Sequence, residues 1–314
     1  MTITFNKLFD IQKKFNDIFF DLESLSQKER EEITKSLCLE LHAEVTDLVT
    51  GINFKDHRIE RKDPDINKIL YESVDVIRYV ISILNLWEIG SDQFIDAFLD
   101  KDLFLQNRRR VNSNLWKGQP VIIVDLDDVV IKFRDGFLNW LDERYNIKVS
   151  PESKEYYTST EVKEAGLNPE TVFLDFISNR RLRDLDPETK MIEAINSLRS
   201  SGYWIQLLTA RPEENLACLY DTYRWLEGSG LKYDRLNFSG EKYRWCTQSE
   251  YFDKEKIVCA IDDSSKHASE YAKHGIPVFL PKTCYNVEVQ ETDNIIPFEN
   301  PEEIFLKLRL LEHN

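Results

Sequence analysis

Two carboxylates close an apolar run at residues 121–130, Val-Ile-Ile-Val-Asp-Leu-Asp-Asp-Val-Val. In an extended segment residues i and i+2 project from one side, so Asp125 and Asp127 point the same way. Acids held that close repel unless a cation or a shared proton lies between them. Two later segments repeat the pattern. Residues 203–212, Tyr-Trp-Ile-Gln-Leu-Leu-Thr-Ala-Arg-Pro, run into Thr209, with Arg211 just beyond. Residues 257–264, Ile-Val-Cys-Ala-Ile-Asp-Asp-Ser, run into Asp262 and Asp263. These residue types suit phosphoryl transfer. A phosphomonoester is dianionic at neutral pH, and a carboxylate nucleophile can approach it only if a divalent cation neutralises both. Carboxylate, carbonyl and water oxygens are what Mg²⁺ prefers. Attack by a carboxylate splits one hard displacement into two easier ones, and a carboxyl two residues on can protonate the leaving oxygen.

Short apolar runs that end on small polar or acidic residues, with helical patterns between them, predict a parallel sheet with its chemistry along the carboxyl edge. A cation for the phosphoryl oxygens is supplied best by Lys242, which opens an amphipathic stretch at Gly-Glu-Lys-Tyr-Arg-Trp. Lys254 and Lys256 lie nearer the third run and are the alternatives. Any single Asp is more often a helix cap or a strand-end turn, so the ordered set carries the signal. That set, over roughly residues 119–290, resembles the haloacid-dehalogenase (HAD) phosphohydrolase superfamily. The resemblance implies that Asp125 attacks phosphorus and that Asp127 protonates the leaving oxygen and then activates water. It further implies that Thr209 and Lys242 bind phosphoryl oxygens, Arg211 contacts substrate, and Asp125, Asp127, Asp262 and Asp263 hold Mg²⁺.

About eighty residues separate the first two runs, where a ~12-residue crossover helix would suffice. Residues 133–183 are therefore expected to form a helical cap. The stretch Phe-Arg-Asp-Gly-Phe-Leu-Asn-Trp-Leu-Asp-Glu-Arg-Tyr and the later Phe-Leu-Asp-Phe-Ile resemble the cap of 5′(3′)-deoxyribonucleotidases. Phe133, Phe137, Tyr156, Tyr157, Phe173 and Phe176 are candidates to stack on a base or sugar, although a small cap also needs aromatics for its own core.

The N-terminal third follows another grammar. Residues 4–23, 28–51, 65–87 and 91–108 place apolar side chains at helical spacing, as in Ile69, Leu70, Val74, Ile77, Val80 and Ile81. An all-α bundle is expected over 1–112, a linker over 113–120, and the α/β phosphatase domain over 121–314. Acids sit inside the helical pattern: Glu40, Glu44 and Asp47 on one face, and Glu72 with Asp75 on the next helix, flanked by large apolar residues. Carboxylates among buried positions are costly unless paired or metal-bound, and facing helices can cage a divalent ion. The pattern resembles the all-α nucleoside triphosphate pyrophosphohydrolases, the MazG-like enzymes and dimeric dUTPases, with their Glu-x-x-Glu and Glu-x-x-Asp helices. Glu72-x-x-Asp75 matches the second half. The first half departs, either as Glu40-x-x-x-Glu44 or as Glu44-x-x-Asp47. The resemblance implies a second Mg²⁺ site at Glu40, Glu44, Glu72 and Asp75, nucleotide contacts from Lys55, Asn107 and Arg110, and assembly of two or more copies through the helical domain. His42 and His57 read as ordinary polar positions.

Composition narrows the partners. A net charge of −15 over 314 residues argues against a broad nucleic-acid face, which needs clustered Lys and Arg. No apolar run is long enough to span a membrane and no leader pattern opens the chain, and the five scattered cysteines form no metal-ligand spacing. A cytoplasmic enzyme acting on small nucleotides is expected. Joined, the two halves would convert a (d)NTP to (d)NMP plus pyrophosphate and then remove the remaining phosphate, a sequence suited to purging a dNTP pool, as in phage nucleotide metabolism. The 209–263 spacing also resembles the phosphatase half of polynucleotide kinase-phosphatases, which would make the substrate a nucleic-acid 3′-phosphate and the helical part a non-catalytic oligomerisation module. A nucleotide sensor without catalysis is the third reading, disfavoured by the complete acid set.

Overall fold

The computed structural model describes residues 4–52, 63–150, 153–156 and 159–312. Two compact units divide between Leu99 and Asp100. The first holds α1 (Phe5–Asn16), α2 (Gln27–Thr50), α3 (Ile66–Leu86) and the start of α4 (Ser91–Ser113). Ser26 opens α2 with a reciprocal cap: its Oγ accepts the Glu29 N–H while the Glu29 carboxylate accepts the Ser26 N–H at 2.9 Å. Arg30, one turn on, donates to the carbonyls of Leu86 and Leu22, fixing the end of α3 against the start of α2. The core here is small, built on Leu22, Leu37 and Leu86 with Tyr79 and Ile83 against them. A stripe on α3, Ile66, Leu70, Val74 and Ile77, stays exposed.

The second unit is a doubly wound α/β fold. Six parallel strands lie in the order β3-β2-β1-β4-β5-β6: β1 (Val121–Val124), β2 (Trp204–Thr209), β3 (Arg235–Phe238), β4 (Ile257–Ile261), β5 (Val278–Pro281) and β6 (Ile295–Phe298). Alternate residues feed opposite cores. Ile122, Val124, Ile205 and Leu207 join one cluster, while Val121, Ile123, Trp204 and Leu208 join the other. Both faces are thus dry, which explains why β1 and β2 read as continuous apolar runs. The first cluster takes side chains from α5 (Phe133–Tyr145), α7 (Pro169–Ser178), α8 (Thr189–Ser200), α9 (Leu216–Ser229) and α12 (Glu302–Glu312). The second takes them from α10 (Lys242–Gln248) and α11 (Ser265–Lys273). α6 (Ser159–Glu164) lies with α5 and α7 in the expected cap interval. The three strands β3, β5 and β6 extend the sheet beyond the three runs legible in sequence. Each is four residues long, and the residues that follow them are Ser239, Lys282 and Glu299, with no aspartate to mark them.

The division between the units differs from the expected boundary at 112. α4 runs unbroken through it, and its second half packs with the α/β unit. Asp100 is buried there and takes Arg180 at 2.7 Å and Arg183 at 2.9 Å, while Phe104 stands edge-on to Tyr220 and Tyr223. A helical period reports a helix, not which core it serves. No helix among the described residues is long and apolar enough to cross a membrane.

Candidate active site

β1 and β4 are neighbours at the point where strand order reverses, and the crevice beyond their carboxyl ends is where open α/β sheets bind ligands. Asp125 follows β1 directly, its N–H still on the ladder to the Ile261 carbonyl at 3.0 Å. Asp262 and Asp263 follow β4, Thr209 ends β2, and Lys242 begins α10 just after β3. Four adjacent strands therefore deliver the sequence-predicted residues to one edge.

Lys242 lies at the centre. Only 1% exposed, it reaches Asp125 Oδ1 at 2.8 Å and Asp262 Oδ2 at 2.7 Å. Burial opposes its charge, but these two carboxylates outweigh that and hold its pKa above the ordinary lysine value. Lys254 and Lys256 occupy the turn that enters β4, at the other end of that strand, which decides between the three lysines.

The carboxylates are crowded. Asp125, Asp262 and Asp263 present oxygens all within 4.8 Å of one another, and all three residues are buried. Burial pushes Asp125 up to about 6, against the pull of Lys242, and with Asp262 and Asp127 adding repulsion. Asp263 is driven well above the carboxylate range by burial, then by Asp125, Asp262 and Asp128. One ammonium cannot neutralise three buried acids. An all-oxygen set with this charge deficit fits a hard divalent cation such as Mg²⁺.

Asp127 stands apart from that trio. Its two oxygens accept from Arg211, Nε at 2.9 Å and Nη2 at 2.6 Å, in a bidentate grip. Asp127, expected among the metal ligands, thus lies outside the trio with both oxygens on Arg211, two residues beyond the end of β2. Arg211 is in turn braced by Thr222 Oγ1 at 2.9 Å and by its N–H to Thr209 Oγ1 at 3.2 Å.

A cavity of roughly 400 Å³ opens above these groups. Asp125, Asp127, Arg211, Lys242 and Asp263 line it together with Phe133, Lys154, Tyr156 and Phe173 from the cap interval. Phe137 and Phe176 are instead sealed in the core. Tyr157 lies outside the described residues. Two further groups had no sequence signal strong enough to single them out. Asp128, third acid of the Asp-Leu-Asp-Asp run, accepts the Arg134 N–H at 3.0 Å, and burial pushes it up to about 7. Tyr285, in the loop after β5, reaches Asp263 Oδ2 at 2.7 Å and Asp128 Oδ2 at 3.2 Å.

The helical unit brings a second acid group together. Glu44, Asp47 and Glu72 offer oxygens within 4.8 Å of one another. Of the two first-helix alternatives, this is the Glu44-x-x-Asp47 pair. Glu44 is raised by burial, then by repulsion from Asp75, Glu72, Asp47 and Glu40. Glu40 and Asp75 stand outside the trio and line a neighbouring cavity of roughly 770 Å³ with Phe15, Phe19, Arg78 and Tyr79. Its floor is a buried amide–hydroxyl network: Gln12 Nε2 donates to Ser82 Oγ at 2.9 Å, Ser82 Oγ to Asn16 Oδ1 at 3.0 Å, and Arg78 Nε to Gln12 Oε1 at 2.9 Å. Asn107 and Arg110, expected as nucleotide contacts, are not in this lining. They belong to the α/β unit, with Arg110 bonded to Asn107 Oδ1 at 3.1 Å and laid over Tyr233. Lys55 and His57 lie outside the described residues.

No protein-family model matches this chain, and no curated protein does. Among solved structures, YfnB from Bacillus subtilis bound to magnesium aligns at 16% identity over 62% of this chain and 100% of its own, TM-score 0.46. The haloacid dehalogenase-like family protein SP0104 from Streptococcus pneumoniae aligns at 12% identity, 60% and 98% coverage, TM-score 0.41. The D,D-heptose 1,7-bisphosphate phosphatase from B. bronchiseptica, complexed with magnesium and phosphate, aligns at 15%, 62% and 100%, TM-score 0.37. With likenesses this distant, functional assignment rests on the side chains themselves.

Proposed function

We propose that the α/β unit is a Mg²⁺-dependent phosphomonoesterase of the HAD type acting on nucleoside monophosphates. We propose further that the helical unit is a nucleoside triphosphate pyrophosphohydrolase. The observation that carries the first reading is Lys242 held between Asp125 and Asp262 at 2.8 and 2.7 Å, in the lining of a cavity shared with cap-interval residues. Asp125 attacks phosphorus, the bond to the leaving oxygen breaks, and the phosphoryl group rests on the Asp125 carboxylate until water displaces it. Lys242 and Thr209 bind the phosphoryl oxygens. Asp127, protonated from solvent as Arg211 turns a hydrogen bond toward the substrate, gives the leaving oxygen that proton and takes one back from the water that cleaves the aspartyl phosphate. A Mg²⁺ ion held by Asp125, Asp262 and Asp263 would supply the positive charge that lets a carboxylate approach a dianion.

A nucleic-acid 3′-end is a weaker candidate substrate, because a chain of net charge −15 offers little to pair with a phosphate backbone. In the helical unit, the trio Glu44, Asp47 and Glu72 would hold Mg²⁺, whose charge would draw the triphosphate, and the network at Gln12, Asn16 and Ser82 would meet the base edge. The exposed stripe Ile66, Leu70, Val74 and Ile77 on α3 supports assembly with a second copy.

A screen of (d)NTPs and (d)NMPs with Mg²⁺, reading pyrophosphate and orthophosphate separately, tests both readings. Asp125→Asn is expected to lower orthophosphate release by about three orders of magnitude or more and leave pyrophosphate release intact. Glu72→Gln is expected to do the reverse. Orthophosphate release that survives Asp125→Asn would show the nucleophile to be misassigned.

A further inference from the structure

Tyr285 belongs to none of the motifs that built the site, yet it touches two of its acids. The shorter contact, 2.7 Å, is to Asp263 Oδ2, with Asp128 Oδ2 at 3.2 Å. One phenolic proton serves one acceptor at a time, so Asp263 is its principal partner. The ring stands edge-on to Tyr156 of the cap interval, centroids 4.9 Å apart at 80°. The next residue fastens the loop: buried Asn286 donates from Nδ2 to the carbonyls of Asp263 at 3.0 Å and Pro281 at 2.8 Å, and accepts the Thr283 N–H at 2.9 Å. Asp263 is thus held twice by one loop, at its carbonyl by Asn286 and at its carboxylate by Tyr285. A carboxylate torsion is intrinsically broad, and this one also faces repulsion from Asp125 and Asp262.

We propose that Tyr285 is a positioning residue that sets the orientation of the Asp263 carboxylate for the divalent cation and, through its packing on Tyr156, ties that orientation to the seating of the cap. The proposal rests on the phosphomonoesterase reading and adds a residue to it. Ligands to a metal are commonly oriented by such outer hydrogen bonds, whose loss costs about ten- to a hundredfold in affinity.

Tyr285→Phe removes the hydroxyl and keeps the ring against Tyr156. In a full-length Glu72→Gln background, which disables the helical acid trio, Mn²⁺ binding to substrate-free protein is read by electron paramagnetic resonance. Tyr285→Phe is expected to weaken it roughly tenfold with the thermal midpoint unchanged. Raising Mg²⁺ should return kcat toward the parent value while KM for the ester stays constant; a purely structural lesion would lower the midpoint and ignore metal. Tyr156→Leu is expected to weaken Mn²⁺ binding by a smaller factor, with the hydroxyl still present. Affinity within about twofold of the parent in Tyr285→Phe overturns the proposal and leaves the phosphomonoesterase reading standing. Unchanged affinity in Tyr156→Leu overturns the link to the cap. Phosphatase activity that persists in Asp125→Asn overturns the underlying reading instead.

Discussion

Asp128 adopts φ 51°, the left-handed region that Asp tolerates better than most residues but that favours glycine. Strain of this kind persists only where the surroundings hold it, here the Arg134 N–H and Tyr285. Two predictions belong at this scale. Lys242→Met strands Asp125 and Asp262 as buried acids without their cation, at an expected cost of about 3–5 kcal/mol in denaturant unfolding under chelator. Added Mg²⁺ should recover part of that loss, and a variant as stable as the parent in chelator would show the lysine is not what balances the trio. His267, 8% exposed, has its pKa lowered to about 4, by burial first and then by Lys242. Its folded value lies below the unfolded 6.5, so the unfolded chain gains a proton first on acidification. The stability it contributes is complete above pH 6.5 and is lost as pH falls toward about 4. Thermal midpoints of the parent and of His267→Gln, followed across that window, should converge as pH falls; parallel curves would contradict the assignment.

Among the elements, α4 serves two cores. Its first half carries Phe94 against Phe5 and Phe9, and its second half carries Asp100 into the arginine pair at the end of the cap interval. Asp100→Asn leaves Arg180 and Arg183 with Asp221 as their remaining carboxylate, and an expected loss of about 3–5 kcal/mol should appear in the unfolding of the α/β unit. A loss confined to the helical unit's transition would mean that this half of α4 is not part of the α/β core. On α3 the exposed stripe has residues at i, i+4, i+8 and i+11, one face of a helix. Leu70→Glu is expected to convert an assembly into monomers by light scattering without loss of helix by circular dichroism. A parent protein that is already monomeric would refute the second-copy reading.

At the level of the whole molecule, local patterns specified much of the catalytic edge. Asp125, Thr209 and Asp262 were legible because each closes an apolar run, and the period of a buried strand is a property of consecutive residues; Lys242 was one of three candidates until its place between Asp125 and Asp262 singled it out. The helices of the first unit were legible for the same reason. What lay beyond sequence was decided by pairings across long separations. Arg211 captures Asp127 across the β1–β2 neighbourhood, and the half of α4 bearing Asn107 and Arg110 joins the α/β unit. Tyr285 comes to Asp263 from a separate loop that carries no motif. The sequence by itself determined three of the six strands, the helices of the first unit and the acids that stand at those strand ends, because these follow from side-chain periodicity. Only the tertiary structure decided which charge neutralises which, because burial removes water and makes the nearest opposite charge, however distant along the chain, the one that counts.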